Sequence, residues 1–182
     1  QIIKGMYLLQ EAEGKKKAPR VNLLGSGTIL RESIAAAELL DKEWGVAANI
    51  WSCPSFNELT REGQDADRWN LLHPDQAPRK GYVERSLAAV SGPFVAATDY
   101  MRIVADQIRP WIPGRYAVLG TDGYGRSDTR EALRAFFETD AASIVTSVLN
   151  ELVADGVLDP SVAADAVAHY GLATEESGPW TR

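Results

Sequence analysis

The residues best placed to do chemistry lie between Gly120 and Glu131, in the run Gly-Thr-Asp-Gly-Tyr-Gly-Arg-Ser-Asp-Thr-Arg-Glu. Its glycines, Gly120, Gly123 and Gly125, let the backbone turn and let another surface come close. Its charges have both signs, Asp122 and Asp128 against Arg126. Carboxylates and a guanidinium in one short loop can pair with a ligand, with a partner subunit or with the loop's own helix. A short apolar run, Tyr116 to Leu119, precedes the loop, and a helical pattern, Ala132 to Phe137, follows it. The segment is therefore a strand, a glycine-rich turn and a helix. Asp128 with Glu131 three residues on has the spacing of a capping box, so Asp128 is expected to start the helix.

Two other patterns suggest cofactors and fail on inspection. Leu24-Gly25-Ser26-Gly27-Thr28-Ile29-Leu30 is a second strand-to-helix turn, but the dinucleotide fingerprint needs a third glycine where Leu30 stands. Asp122-Gly123 with Asn150 has the separation of the magnesium motif of thiamine diphosphate enzymes. Thr121 stands where the motif has its first glycine, and Asn150 falls inside an amphipathic helix with Ile144, Val148 and Leu152. One aspartate and one mid-helix amide do not supply the octahedral oxygen shell that magnesium requires. His73 and His169 read as helix-end residues, outside any metal-spaced cluster. Cys53 beside Pro54 reads as a packed thiol, with no histidine near it in sequence. The acidic pairs Asp65/Asp67 and Glu175/Glu176 read as solvated faces. Trp44, Trp51, Trp69 and Trp111 read as core or interface anchors; Trp180, in a polar tail, is expected to touch another segment.

The elements that must hold these residues follow from periodicity. The chain has 182 residues, 45% of them hydrophobic, which suits one domain, or one domain with a short extension. A net charge of −6 argues against a nucleic-acid or anionic-membrane surface, and no apolar run is long enough to cross a bilayer. A single cysteine allows no intramolecular disulfide and suits a reducing compartment, here taken as the cytoplasm. The chain opens at Gln1 directly into an apolar run, so it is expected to be a piece of a longer polypeptide.

Strands are expected at Met6 to Leu9, Val21 to Leu24, Asn49 to Ser52, Phe94 to Ala97 and Tyr116 to Leu119, with a solvated lysine-rich turn at Gly14 to Lys17. A helix starts near Thr28, carries Leu30, Ile34, Ala37, Leu40 and Trp44 inward, pairs Glu38 with Lys42 and ends at Gly45. Ser55 and Glu58 begin another, which Gly63 is expected to break before His73-Pro74 closes its second half. Tyr82 to Val90 reads as a helix. Thr98 or Asp99 is expected to cap one with Tyr100, Ile103, Val104 and Ile108 inward. Three helices finish the chain, Thr129 to Glu138, Ala142 to Asp155 and Pro160 to Tyr170, the last capped by Asp159 and stopped by Gly171. Alternating strands and helices predict a three-layer α/β fold, αβα, with a mostly parallel mixed sheet of about five strands. The first two strands are joined too tightly for a helix, so one is expected to run antiparallel. The domain reading is 1–18 as lead-in strand and linker, 19–172 as the α/β domain and 173–182 as a polar tail.

The glycine loop, together with Ile2-Ile3-Lys4-Gly5, Leu23 to Leu30, Gly63-Gln64-Asp65, Arg68-Trp69-Asn70, Leu72-His73-Pro74 and Ala97-Thr98-Asp99-Tyr100, resembles the homodimeric pyruvate dehydrogenase component of bacterial pyruvate dehydrogenase complexes. The matching blocks run in order to about Asp140 and cover its transketolase-like C-terminal domain. The resemblance implies a mixed, mostly parallel sheet between helices. It also implies pyruvate decarboxylation and reductive acetylation of lipoyl groups by the whole enzyme. Thiamine diphosphate and Mg2+ would then be bound by other modules, so no catalytic, cofactor-binding or metal residue carries over to this segment, which should be inactive alone. The implied partners are the remaining modules, a homodimer partner and the dihydrolipoyl acetyltransferase core, with neither nucleic acid nor membrane. The segment is read as a structural and dimerisation module. Asp122, Gly123, Tyr124, Gly125, Arg126, Ser127 and Asp128 form its candidate interface loop. Two other readings stay open: a docking module for the acyltransferase core, and an independent Rossmann-like nucleotide-binding domain.

Overall fold

The computed structural model describes residues 2–12 and 17–181. The lysine-rich turn expected at Gly14 to Lys17 lies, Lys17 apart, outside the described residues. Five strands form one sheet: β1 (Tyr7–Gln10), β2 (Arg20–Gly25), β3 (Ala47–Ser52), β4 (Phe94–Ala97) and β5 (Tyr116–Leu119). Their order is β1-β3-β2-β4-β5; β1 runs antiparallel to β3 and the other pairs are parallel. The helices are α1 (Leu30–Trp44), α2 (Phe56–Leu72), α3 (Tyr82–Leu87), α4 (Arg102–Asp106), α5 (Arg130–Phe136), α6 (Ala141–Ala154) and α7 (Pro160–His169). The expected three-layer fold is present.

Strand side chains alternate between two cores. Val21, Leu23 and Val95 pack with Leu40 of α1 and Ile144 and Val148 of α6, while α7 adds Ala166. On the other face Leu24, Trp51, Phe94 and Ala96 pack with Phe56 and Leu59 of α2, Leu87 of α3 and Ala105 of α4. One polar group sits at the centre of the sheet. Asn22 is fully buried; its Nδ2 donates to the Ser91 carbonyl at 3.0 Å and its Oδ1 accepts from Asn49 Nδ2 at 2.9 Å and Trp51 Nε1 at 3.4 Å. Asn49 Oδ1 in turn accepts the Ala12 N–H at 2.8 Å, which ties the segment after β1 to the sheet. A buried amide is tolerable here because its donors and acceptors are used.

Three expectations about helices are corrected. Gly63 does not break α2, which is continuous. A Cβ there would lie 2.6 Å from the Trp111 ring, whose Nε1 donates to Asp67 at 3.0 Å, so Gly63 makes room for an indole. The helix after β4 is shorter than expected, and neither Thr98 nor Asp99 caps it; its N-cap is Met101. Tyr100 and Ile103 are exposed, not inward, and Ala105 and Ile108 carry the burial. Thr98 spends its hydroxyl on the Tyr100 N–H at 3.2 Å, and the chain bends at Asp99 and Tyr100 before the helix begins. The helix after α2 also ends early, at Leu87.

The strand order reverses between β2 and β4, since the chain moves outward from β2 to β3 on one side and from β4 to β5 on the other. That arrangement opens a crevice beyond the carboxyl ends of these strands. Both glycine turns lie along it.

Candidate functional site

The first turn leaves β2 and is closed by its own chain. Ser26 donates its N–H to the Ala97 carbonyl at 3.1 Å. Gly27 has φ of 55°, and a Cβ on it would lie 2.8 Å from Asp99 Oδ1. Thr28 Oγ1 reaches the other Asp99 oxygen at 3.4 Å. The Asp99 carboxylate therefore occupies the approach that a pyrophosphate would need, and it carries the wrong charge for one. The dinucleotide reading thus fails in space as well as at Leu30. The adjoining crevice, of about 330 Å³, is lined by Asp99, Thr121, Asp128, Arg130 and Phe137 among others. Thr139 also lines it; its buried hydroxyl finds no partner among the described residues.

The second turn is the glycine loop between β5 and α5. Its root is anchored on the segment after β4: Thr121 donates its N–H to the Tyr100 carbonyl at 2.9 Å and its hydroxyl to the Asp99 carbonyl at 2.8 Å. Asp122 Oδ1 accepts the backbone N–H of Arg102 at 2.9 Å, and Oδ2 accepts from Arg102 Nε. Asp122 thus supplies, from a distant loop, the cap that α4 lacks at Met101. Burial pushes the Asp122 carboxyl up, but the hydrogen bonds from the Arg102 side chain and backbone, with the guanidinium charge, more than offset this and hold it below its ordinary value.

The tip is open. Tyr124 is 86% exposed and Ser127 is exposed. Arg126 lays its guanidinium over the Phe136 ring, 3.9 Å from the centroid. Asp122, Arg126 and Asp128 do not pair with one another among the described residues. The expected Asp128 capping box is replaced by a cap one residue later. Thr129 is the last extended residue, with φ of −62° and ψ of 156°, and its Oγ1 accepts the Ala132 N–H at 3.2 Å. Asp128 instead accepts the Thr129 N–H at 2.7 Å, and Glu131 sits too early in α5 to reach back as the box requires.

The donor set for a magnesium–diphosphate group does not fit. Both Asp122 oxygens are taken by Arg102, while Asn150 opens into a different place, a groove of about 790 Å³ along α6 and α7. No group of three or more His, Cys, Asp or Glu side chains among the described residues could hold a metal ion. His73 Nδ1 lies 2.8 Å from the Trp69 carbonyl and its ring stacks on that indole at 4.4 Å, a helix-end role; His169 sits 3.4 Å from Glu43. Cys53 is buried, and desolvation pushes its thiol far up, so it stays protonated and packs as an apolar side chain.

Several residues of this surface were hidden in the sequence. Tyr100, Met101 and Ile103 are each more than half exposed beside the loop root. The spacing of Tyr100 and Ile103 with Val104 and Ile108 reads as an inward helical stripe, and only the late start of α4 turns the first two outward. Arg102 gave no signal, because its partner Asp122 is twenty residues away. Trp180 does meet another segment: its indole lies on the Arg102 guanidinium, 4.3 Å from centroid to Cζ. Exposed large side chains thus flank Arg102 in the chain (Tyr100, Met101 and Ile103) and follow Asp122 (Tyr124), and the Trp180 ring lies on the Arg102 guanidinium.

Residues 5–140 match the model of the transketolase-like C-terminal domain, so the chain belongs to that family. The particular relatives are enzymes' subunits. The chain is 52% identical over 178 residues to the pyruvate dehydrogenase E1 component of Cupriavidus necator, and 47% identical over 179 residues to that of Escherichia coli. Each match covers 98% of this chain, but the chain spans only 20% of the length of those relatives. Among solved structures, Campylobacter jejuni transketolase superposes with a TM-score of 0.53 at 23% identity, covering 82% of this chain and 19% of the transketolase. An inactive β4 tetramer of split-gene transketolase gives 0.53 at 21% identity, over 81% of this chain and 42% of the other. At these identities the likeness speaks for the fold. Among the described residues no helix is long and apolar enough to cross a membrane.

Proposed function

We propose that this chain is the C-terminal structural and dimerisation module of a thiamine-diphosphate-dependent pyruvate dehydrogenase and has no catalytic site of its own. The observation that carries this reading is the match at about half identity along 98% of the chain to a fifth of the E1 component. In it, residues 19–172 form the transketolase-like unit, residues 1–18 lead in from the preceding module and residues 173–182 form the tail. Thiamine diphosphate and Mg2+ sit in the other modules and supply the chemistry for pyruvate decarboxylation and lipoyl acetylation. The partners are those modules, a second copy of the enzyme and the acetyltransferase core, in the cytoplasm.

The glycine loop is the contact surface in this reading, and Gly125 supports it. Among the described glycines Gly125 alone has neither a left-handed φ nor any atom within 4 Å of where a Cβ would sit. Nothing among the described residues accounts for a glycine there, whereas close approach of another module does. The exposed Tyr100, Met101, Ile103, Tyr124 and Trp180, carried by the loop and the segments that meet its root, have the character of an interface core. The occupant is the cofactor-bearing part of the same enzyme, which makes up four-fifths of the relatives' length.

The test is complementation. The chain mixed with the remainder of an E1 component, thiamine diphosphate and Mg2+ should restore pyruvate decarboxylation that neither part gives alone. Decarboxylation by this chain alone, or no restoration despite folded parts, would remove the proposal.

A further inference from the structure

The C-terminal segment does more than trail from α7. Gly171, with φ of 62°, turns the chain back, and Gly178 to Thr181 closes into a turn with the Thr181 N–H on the Gly178 carbonyl at 2.9 Å. The Trp180 ring folds over Gly178, where a Cβ would lie 2.4 Å from the indole. Pro179 is buried. This turn lands on the root of the glycine loop at two points. A Cβ on Gly123 would lie 2.7 Å from the Pro179 carbonyl oxygen and 3.0 Å from Trp180 Cα, so tail backbone and loop backbone are in contact. The Trp180 indole covers one face of the Arg102 guanidinium while the Asp122 carboxylate holds its edge.

We propose that residues 178–181 are a latch that sets the conformation of the glycine loop, with Trp180 and Arg102 as its positioning residues. Arg102 is the hinge pin. Its backbone N–H and Nε fix Asp122, and its free face is available for the indole, so the tail and the loop share one cation. A guanidinium takes both roles because its planar edge pairs with a carboxylate and its face stacks on an aromatic ring. Beyond the latch and the Thr121 bonds at its root, the loop is held by the Arg126 guanidinium on the Phe136 ring. Among the described residues, the N–H groups of Gly123 to Ser127 make no backbone hydrogen bond. The latch also adds to the surface at the loop root, where Trp180 is about half exposed as it lies on Arg102. The inference rests on the contact reading for its consequence in the enzyme, but its geometry stands without that reading.

Local order in the loop tests it on the whole chain. Trypsin should cut after Arg126 under native conditions, and the rate reports how often the loop opens. Trp180→Ala and a chain ending at Ser177 should each speed that cut by roughly twofold to fivefold, the range a lost exposed cation–π contact gives. Cutting after Arg61, inside α2, should keep its rate. Trp180→Phe, which retains a ring face, should recover most of the wild-type rate. Wild-type cutting after Arg126 in both variants overturns the latch, as does equal acceleration at Arg61, which would mean global loosening. Because this readout needs no partner module, its failure is separable from failure of the complementation experiment.

Discussion

Two strand-to-helix turns lie along one crevice, and they use glycine for opposite reasons. The turn after β2 is sealed from within. Gly25 lies against Leu30, where a Cβ would come 2.7 Å from Cδ1 and 2.8 Å from Cα, and Gly27 lies against Asp99. The loop after β5 is sealed only at its root, where Gly120 meets the Tyr100 carbonyl and Gly123 meets the tail. Past that point its residues are exposed, Arg126 lies over Phe136, and no atom of the described residues comes within 4 Å of where a Gly125 Cβ would sit. The first turn's composition is therefore explained by the packing of this chain. The second's is explained only in part, and the unexplained part is where a contact with another module belongs.

The comparison breaks first at its inner turn. Gly25→Val places a branched side chain against helix backbone that cannot move without shifting α1 from the sheet. Overpacking of this kind costs about 1–3 kcal/mol, and contact with backbone puts the expected loss at the upper end. Urea unfolding should show it as a lower midpoint with an unchanged slope. An unchanged midpoint would mean that the inner turn is as loosely built as the outer one.

Gly123→Ala comes next. Its φ of 103° disfavours any side chain, and the added Cβ meets the Pro179 carbonyl. The backbone strain alone is of order 1–3 kcal/mol, and displacement of the tail limits the clash. The expected result is a loss of about 1–2 kcal/mol together with faster trypsin cutting after Arg126, a pairing that Gly25→Val should not show.

The inner turn was the more legible of the two in the sequence. Leu30 in place of a third glycine already spoke against a dinucleotide, and the strand boundaries at Phe94–Ala97 and Tyr116–Leu119 followed from the apolar runs. Local signals sufficed wherever local interactions decide: Ser55 and Asp159 cap their helices, and Gly45 and Gly171 end theirs in left-handed conformations. The outer surface was less legible because long-range contacts decide it. Asp122 caps a helix twenty residues earlier in the chain, Trp111 takes the space at Gly63, and Trp180 reaches Arg102 across seventy-eight positions. Asp128 and Glu131 have the residue types and spacing of a capping box, yet Thr129, which has only Ala132 three residues on, is the N-cap that the loop geometry selects. No periodicity in the sequence encodes these choices.

The root of the outer loop should also titrate. Asp122 has its folded carboxyl value held below the unfolded one, so its contribution is fully present above the ordinary carboxylate value, about pH 4, and is lost as pH falls through the folded value. The charged group facing it is Arg102, with the Trp180 ring on the guanidinium's other side. Arg102 is partly exposed, so the pair is expected to contribute less than ~1 kcal/mol. Asp159, held low by the Ser161 N–H, titrates in the same range, which makes a difference measurement necessary. The stability gap between wild type and Asp122→Asn should be largest near neutral pH and close as the solution is acidified below about pH 4. A gap that stays constant, or widens in acid, would detach Asp122 from the charge role given to it.

The smallest expected effect on this chain carries the most weight for the contact reading. Gly125→Ala adds a methyl group that meets no atom within 4 Å, at a backbone conformation outside the left-handed region. Its stability should stay within about 0.5 kcal/mol of wild type and could rise slightly, because alanine restricts the unfolded chain. Trypsin cutting after Arg126 should also stay near the wild-type rate, since the latch is untouched. In complementation with the rest of an E1 component, the same methyl should weaken association or activity, because a module that approaches the bare backbone at Gly125 meets a side chain instead. Equal complementation by Gly125→Ala and wild type would leave that glycine unexplained from outside as well as from within, and the contact would have to be sought on another face, with the groove along α6 and α7 as the next surface to probe.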